Sequence, residues 1–148
     1  MIRVQQKDFD IAKEISSLTA RDNDFGAVVT FTGIVRSTGE HGKLKSLTLE
    51  HYPGMTEREL DRIEQEAQKR WALSASLIIH RFGKLIPGDN IVLVITTSPH
   101  RQAAFQAAEF LMDYLKTDAP FWKQETNDTG NSWIDARETD LSARHSWE

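Results

Sequence analysis

The sequence has 148 residues and no cysteine. That absence removes disulfides, thiolate metal sites and a cysteine nucleophile together. Long hydrophobic runs are missing too. The longest strongly apolar stretch, Ile91 to Ile95, has five residues, far short of the ~18–20 that span a bilayer. The opening MIRVQQKDFD carries Arg3 and Lys7 and no apolar core, so no secretory signal is expected and the chain reads as cytoplasmic, with no membrane partner. Excess positive charge is absent as well: 18 Lys and Arg stand against 22 Asp and Glu, a net charge of −4. General binding to nucleic acid or to anionic membranes draws on cationic excess, so both are excluded as partners. No Walker loop, GxGxxG, HExxH or GxSxG occurs. The five histidines show no metal-ligand spacing, so no zinc and no cofactor is expected.

What is present suffices for one core. With 39% hydrophobic and 27% charged residues, and no repeat or linker, residues 1–148 read as a single domain. Residues 2–5 alternate as a short strand does. Asp8 is the expected cap of a helix that buries Ile11, Ile15 and Leu18. A polar break follows at Arg21 to Asp24, then a β-branched and aromatic strand at 27–35. Ser37 to Lys43, polar with two glycines, reads as a mobile loop, and 44–51 as the next strand. Thr56 and Glu59 have capping-box spacing ahead of a helix with Leu60, Ile63, Ala67 and Trp71 on one face and a solvated opposite face. Strands at 75–82 and 91–97 are joined around Pro87-Gly88, a pair suited to a type II turn. A third helix, capped by Ser98, runs from Pro99 to about Lys116. Residues 121–126 and 132–136 pair as a hairpin, and 138–148 read as a flexible tail. The order β-α-β-β-α-β-β-α-β-β predicts an α+β fold, mostly antiparallel, with three main helices.

The third helix carries the chemical signal. Placing His100 and Arg101 in its first turn opposes the helix dipole, where an acid would be stabilising. Either both side chains turn outward into solvent, or a bound anion compensates at a site whose free N–H groups already favour one. The helix is apolar over much of its girth, so a sheet, a loop or a second subunit must cover it. Lys116 complements the dipole at its end. Lys123 lies in a strand among aromatics, where a lysine ordinarily covers apolar surface with its stem. Arg36 and Arg137 each directly follow a strand. Taken together, Arg36, His100, Arg101, Lys116, Lys123 and Arg137 sit at element ends or beside loops, where sites are built. Six cations so placed on an acidic chain predict a local anion pocket.

Three phrases then resemble one family: Phe31-Thr32-Gly33-Ile34-Val35-Arg36, Ser98-Pro99-His100-Arg101 with Ala103-Ala104-Phe105, and Lys116 through Lys123 (KTDAPFWK). Their order and spacing are similar to those of the molybdopterin synthase catalytic (large) subunits, across essentially the whole chain. The resemblance implies an α/β hammerhead-type fold. It also implies a homodimer flanked by two copies of a small ubiquitin-like sulfur carrier, together a heterotetramer. The carrier's Gly-Gly tail would end in a thiocarboxylate and deliver two sulfurs to cyclic pyranopterin monophosphate, giving molybdopterin. By motif position Lys116 and Lys123 would be catalytic. Arg36, His100, Arg101, Arg137, Ile34, Val35, Gln124 and Glu125 would bind substrate, and Phe31 and Met112 would line the pocket.

The residues are compatible with that implication. A sulfur-transfer enzyme without cysteine needs sulfur delivered from outside, and both implied ligands are anionic. His100 and Lys116 are sixteen residues apart on one expected helix, hence ~24 Å at 1.5 Å per residue. A small pterin cannot reach both, so a shared site would be composite between subunits. Two other readings use the same residues. One is a non-catalytic module holding an acidic or C-terminal tail in a basic groove; the other is an enzyme of a phosphorylated small molecule that needs no protein partner.

Overall fold

The computed structural model describes residues 1–21 and 24–148; Asp22 and Asn23, inside the expected polar break, lie outside the described residues. The elements in chain order are β1 (Ile2–Gln5), α1 (Ile11–Thr19), β2 (Ala27–Ile34), β3 (Thr38–Gly39), β4 (Gly42–Lys43), β5 (Ser46–His51), α2 (Met55–Arg70), β6 (Ala75–Arg81), β7 (Gly83–Leu85), β8 (Asn90–Ser98), α3 (Arg101–Thr117), β9 (Phe121–Asn127), β10 (Gly130–Ile134) and α4 (Glu138–His145). The fold is α+β. One sheet has the order β1-β6-β8-β2, a second β10-β9-β5-β7, and β3-β4 form a separate pair. Among the described residues all pairings are antiparallel except β1 with β6.

The first sheet is covered on both faces. Leu77, Ile79, Leu93 and Ile95 pack under Phe9 and Leu18 with Ile11 and Ile15 of α1. Their alternates Ile78, Val92 and Val94 pack under α2 and α3, through Leu60, Ile63, Phe110, Leu111 and Tyr114. Strands buried on both faces cannot alternate apolar and polar, hence the continuous apolar runs of β6 and β8. Ala104, Ala107 and Ala108 let α3 approach closely, and the buried Thr96 hydroxyl donates to Ala104 O at 2.7 Å. Val35, Leu44, Leu47, Leu49 and Leu85 form a smaller core for the second sheet. No helix among the described residues is long and apolar enough to cross a membrane.

Several local expectations need correction. Asp10, not Asp8, caps α1, accepting from Lys13 N at 3.1 Å; Asp8 instead accepts from Phe9 N and Asn90 Nδ2. The capping box of α2 lies two residues early, with Glu57 accepting from Gly54 N at 2.5 Å. Thr56 is buried, donating to Pro120 O at 3.0 Å and accepting from Tyr52 N. On the expected wet face of α2, Glu64 is buried and holds the N-terminal ammonium and the Ser76 hydroxyl. Gly88, at φ +94°, takes the left-handed position of the turn after Pro87, but β7 first leaves to pair with β5. Ser98 closes β8 instead of capping α3, because the ladder continues through Ala27↔Ser98; His100 is the N-cap residue, in extended conformation.

Two segments expected to be loose are structured. Thr38–Gly39 and Gly42–Lys43 pair as a hairpin, where a mobile loop was expected. Residues 138–148 carry the fourth helix, α4. Arg144 forks onto both oxygens of Asp118 at 3.1 Å each, and Trp147 Nε1 donates to Asp113 at 2.7 Å. The Trp147 ring meets Trp71 and Phe110 edge-on. These contacts replace the apolar periodicity that the segment lacks.

Candidate active site

The mouth of the second sheet holds a cavity of about 520 Å³. Four elements converge on it, and each contributes a cation. β2 runs out at Ile34; the buried Val35 is fixed by its N–H to Asp89 O at 2.9 Å, and Arg36 follows at the rim. Lys116 comes from the last turn of α3. Lys123 and Glu125 share one face of β9 at the two-residue period of a strand. Arg137, the N-cap residue of α4, and Asp140 in its first turn close the far side. Phe121, Trp122 and Trp133 supply aromatic wall.

Among the described residues, Arg36, Lys116, Lys123 and Arg137 make no ion pair within 4 Å, whereas Arg3, Arg62, Arg70, Arg81 and Arg144 all do. Their charge is left for something else. Burial pushes the Lys123 ammonium down to about 8, and the neighbouring Lys116 adds to this as a like charge and as a donor to the neutral amine. Arg137 acts in the same direction; Asp140 opposes it. Beneath them lies His80, buried in β6 and stacked on Phe121 with ring centroids 3.7 Å apart. Burial, with lesser contributions from Lys123, Lys116 and His51, lowers its pKa to about 4. It is a neutral imidazole, and its Nδ1 lies 2.8 Å from Arg81 O, the distance of an N–H donated to that carbonyl. The arrangement offers an anion Arg36, Lys116 and Arg137 and, as the fourth basic group, Lys123, whose amine is partly free at neutral pH to take a proton.

Of the residues singled out from the sequence, the cavity gathers Ile34, Val35, Arg36, Lys116, Lys123, Glu125 and Arg137. Gln124 lies on the other face of β9, opposite Thr48 and Trp133. Phe31 is exposed on β2 and Met112 packs against the main core, both outside the lining. His100 and Arg101 sit at the opposite end of α3, in a separate open depression with Gly26, Pro99, Gln102, Phe105 and Gln106. Within one chain the two groups do not meet. Sequence reasoning passed over Asp140 and His80. Nothing periodic marked α4, but a histidine inside the apolar run LIIHR was a readable sign of a buried, neutral ring. Among the described residues no cluster of three or more His, Asp or Glu is placed to hold a metal ion.

Comparison with known proteins places this geometry among relatives. The family model described as MoaE protein matches residues 4–118. The molybdopterin synthase catalytic subunit of Mesorhizobium japonicum is 54% identical over 149 residues, covering 99% of this chain and 92% of that one. The corresponding subunit of Rhizobium meliloti is 55% identical over 148 residues, covering 99% and 94%. A solved structure, the molybdopterin biosynthesis MoaE protein from Burkholderia ambifaria, superimposes with a TM-score of 0.86 at 48% identity, covering 99% of this chain and 97% of that chain.

Proposed function

The chain belongs to the MoaE family of molybdopterin synthase catalytic subunits, and from that premise we propose that the cavity between Arg36 and Arg137 is where sulfur reaches the pterin. The observation that carries this reading is the convergence of two lysines and two arginines, none of them ion-paired, with one amine near pH 8. The substrate is cyclic pyranopterin monophosphate and the sulfur donor is the thiocarboxylated Gly-Gly tail of a small ubiquitin-like carrier. Arg36 and Arg137 hold the phosphate, in the fork geometry that suits it, with Ile34 and Val35 at the wall.

The chemistry follows from the donor. Sulfur of the thiocarboxylate forms a bond to a side-chain carbon of the pterin as the C–O bond at that carbon breaks, and the departing oxygen takes a proton and leaves as water. The product is a thioester joining carrier and pterin. Water then adds to the thioester carbonyl, the C–S bond to the carrier breaks, and the thiol stays on the pterin while the carrier leaves as a carboxylate. Neutral Lys123 takes a proton from that water. The Lys116 ammonium faces the tetrahedral oxyanion, the kind of contact worth about 10²–10³ in rate. A second copy of the chain brings His100 and Arg101 to the same substrate, since α3 separates them from Lys116 within one protomer.

The test is reconstitution of the protein with thiocarboxylated carrier and cyclic pyranopterin monophosphate, read as molybdopterin formed. Lys116→Ala and Lys123→Ala each lower turnover by about 10²-fold or more and leave carrier affinity within a few-fold. Variants that lose carrier affinity while the native chain makes no molybdopterin would instead identify a tail-binding module.

A further inference from the structure

The hairpin β3–β4 stands over the cavity, with its Thr38 and Glu40, and Leu44 just after it, in the lining. The hairpin and the residues that lead from it into β5 are tied to β9 and the turn after it. Lys45 N–H donates to Thr126 O at 2.8 Å, Lys45 Nζ pairs with Asp128 at 3.0 Å, and Asn127 Nδ2 reaches His41 O at 3.5 Å. One tie lies on the cavity side. Glu125 Oε1 accepts from the backbone N–H of Glu40 at 3.0 Å, across 85 residues of sequence. The Glu125 carboxylate also occupies the space beside Gly39. A Cβ built there would stand 2.5–2.6 Å from its two oxygens and carboxyl carbon, so the fit depends on glycine having no side chain.

We propose that Glu125 is a positioning residue: it latches the hairpin over the cavity and so sets Arg36, and it does not touch the substrate. This rests on the function proposed above. Like charge supports it, since a carboxylate in contact with a phosphate would repel it, and here the carboxylate is already engaged by an amide. Arg36 lies between the anchored Val35 and Ser37, whose carbonyl accepts from Leu44 N at 2.9 Å. A hairpin that swings therefore carries Arg36 with it. The role differs from the substrate contact that family resemblance implies for Glu125.

Gly39→Ala tests the latch without replacing any charged group. The atoms it strikes are the far end of a flexible side chain, and Gly39 has no positive φ to forbid alanine. Hydrogen exchange at the Glu40 amide and steady-state kinetics are measured on the full chain with its carrier. Gly39→Ala and Glu125→Ala both accelerate Glu40 exchange by about tenfold, the loss of one hydrogen bond to a charged acceptor. Both raise KM for the pterin about 5–10-fold with kcat little changed, as removal of uniform binding does. Glu125→Gln, which keeps the acceptor, restores the exchange protection and most of the KM. Glu125→Gln as impaired as Glu125→Ala, with Glu40 still protected, would overturn the proposal; so would Gly39→Ala that changes neither quantity. A native chain that makes no molybdopterin defeats the functional reading, and exchange at Glu40 still reads the latch.

Discussion

Lys123 is half-protonated near pH 8, so at neutral pH it still carries most of its charge yet gives up a proton far more readily than a free lysine. Burial is the largest cause and the Lys116 charge the next. Removing that charge in Lys116→Met raises the Lys123 titration midpoint by about one unit while burial keeps it below 10.5; NMR titration of the lysine side-chain amines reads it directly. The sign for stability follows. Between about 8 and 10.5 the unfolded chain holds a proton that the folded chain has lost, so folding grows more favourable as pH rises through that window. Lys123→Met removes the buried cation. At pH 7 it raises the unfolding free energy by on the order of 1–3 kcal/mol while it lowers turnover by about 10²-fold or more, and denaturant melts at pH 7 and 10 show the gain shrinking at the higher pH. His80 works at the acid end. Its pKa falls from 6.5 to about 4 on folding, so stability is full above 6.5 and is lost as pH drops toward 4. His80→Phe keeps a ring on Phe121 and flattens that loss, worth up to about 3 kcal/mol, in melts between pH 7 and 4.

At the scale of elements, α4 decides whether the site is complete, because Arg137 and Asp140 ride on its first turn. Trp147→Ala removes the edge-on contacts to Trp71 and Phe110 and the bond to Asp113. It costs about 1–3 kcal/mol, less than a fully buried tryptophan, and raises KM for the pterin. Arg144→Lys loses the fork onto Asp118 and moves KM the same way; thermal melts and steady-state kinetics check both. α4 was also the element least legible in the sequence. Its contacts are a guanidinium fork and one indole, and neither leaves a periodic trace. The hairpin at 38–43 was hidden for a related reason, since two-residue strands held by a distant glutamate carry no pattern of their own. Apolar patterning made β6, β8, α2 and α3 readable, because burial of a face dictates it. The cationic residues of the site could be collected from element ends. That Lys116 and Lys123 meet while Gln124 turns away depends on the β5–β9 register, which no local signal in either strand fixes.

For the whole molecule, the length of α3 is the governing dimension. It keeps His100 and Arg101 in one depression and Lys116 in another. The edge strand β2 meanwhile presents Val28, Phe31 and Ile34 to the outside. A site shared between two copies requires complementation. Chains carrying His100→Ala/Arg101→Ala, mixed with chains carrying Lys116→Ala, regain a measurable fraction of turnover in heterodimers, whereas each homodimer stays inactive. Isolated heterodimers with two different affinity tags, assayed for molybdopterin, give the answer; stable mixed dimers with no recovery count against a shared site. The topology also has a temporal side. Ile2 finds its partner only at Ile78, and His51 at Phe121. At roughly 5–20 residues per second on the ribosome, the first strand waits about 4–15 s, unpaired, for its neighbour to be synthesised. A strand of four residues in which Arg3 and Gln5 alternate with the apolar positions gives another nascent chain only a short, charge-interrupted edge to pair with in that interval.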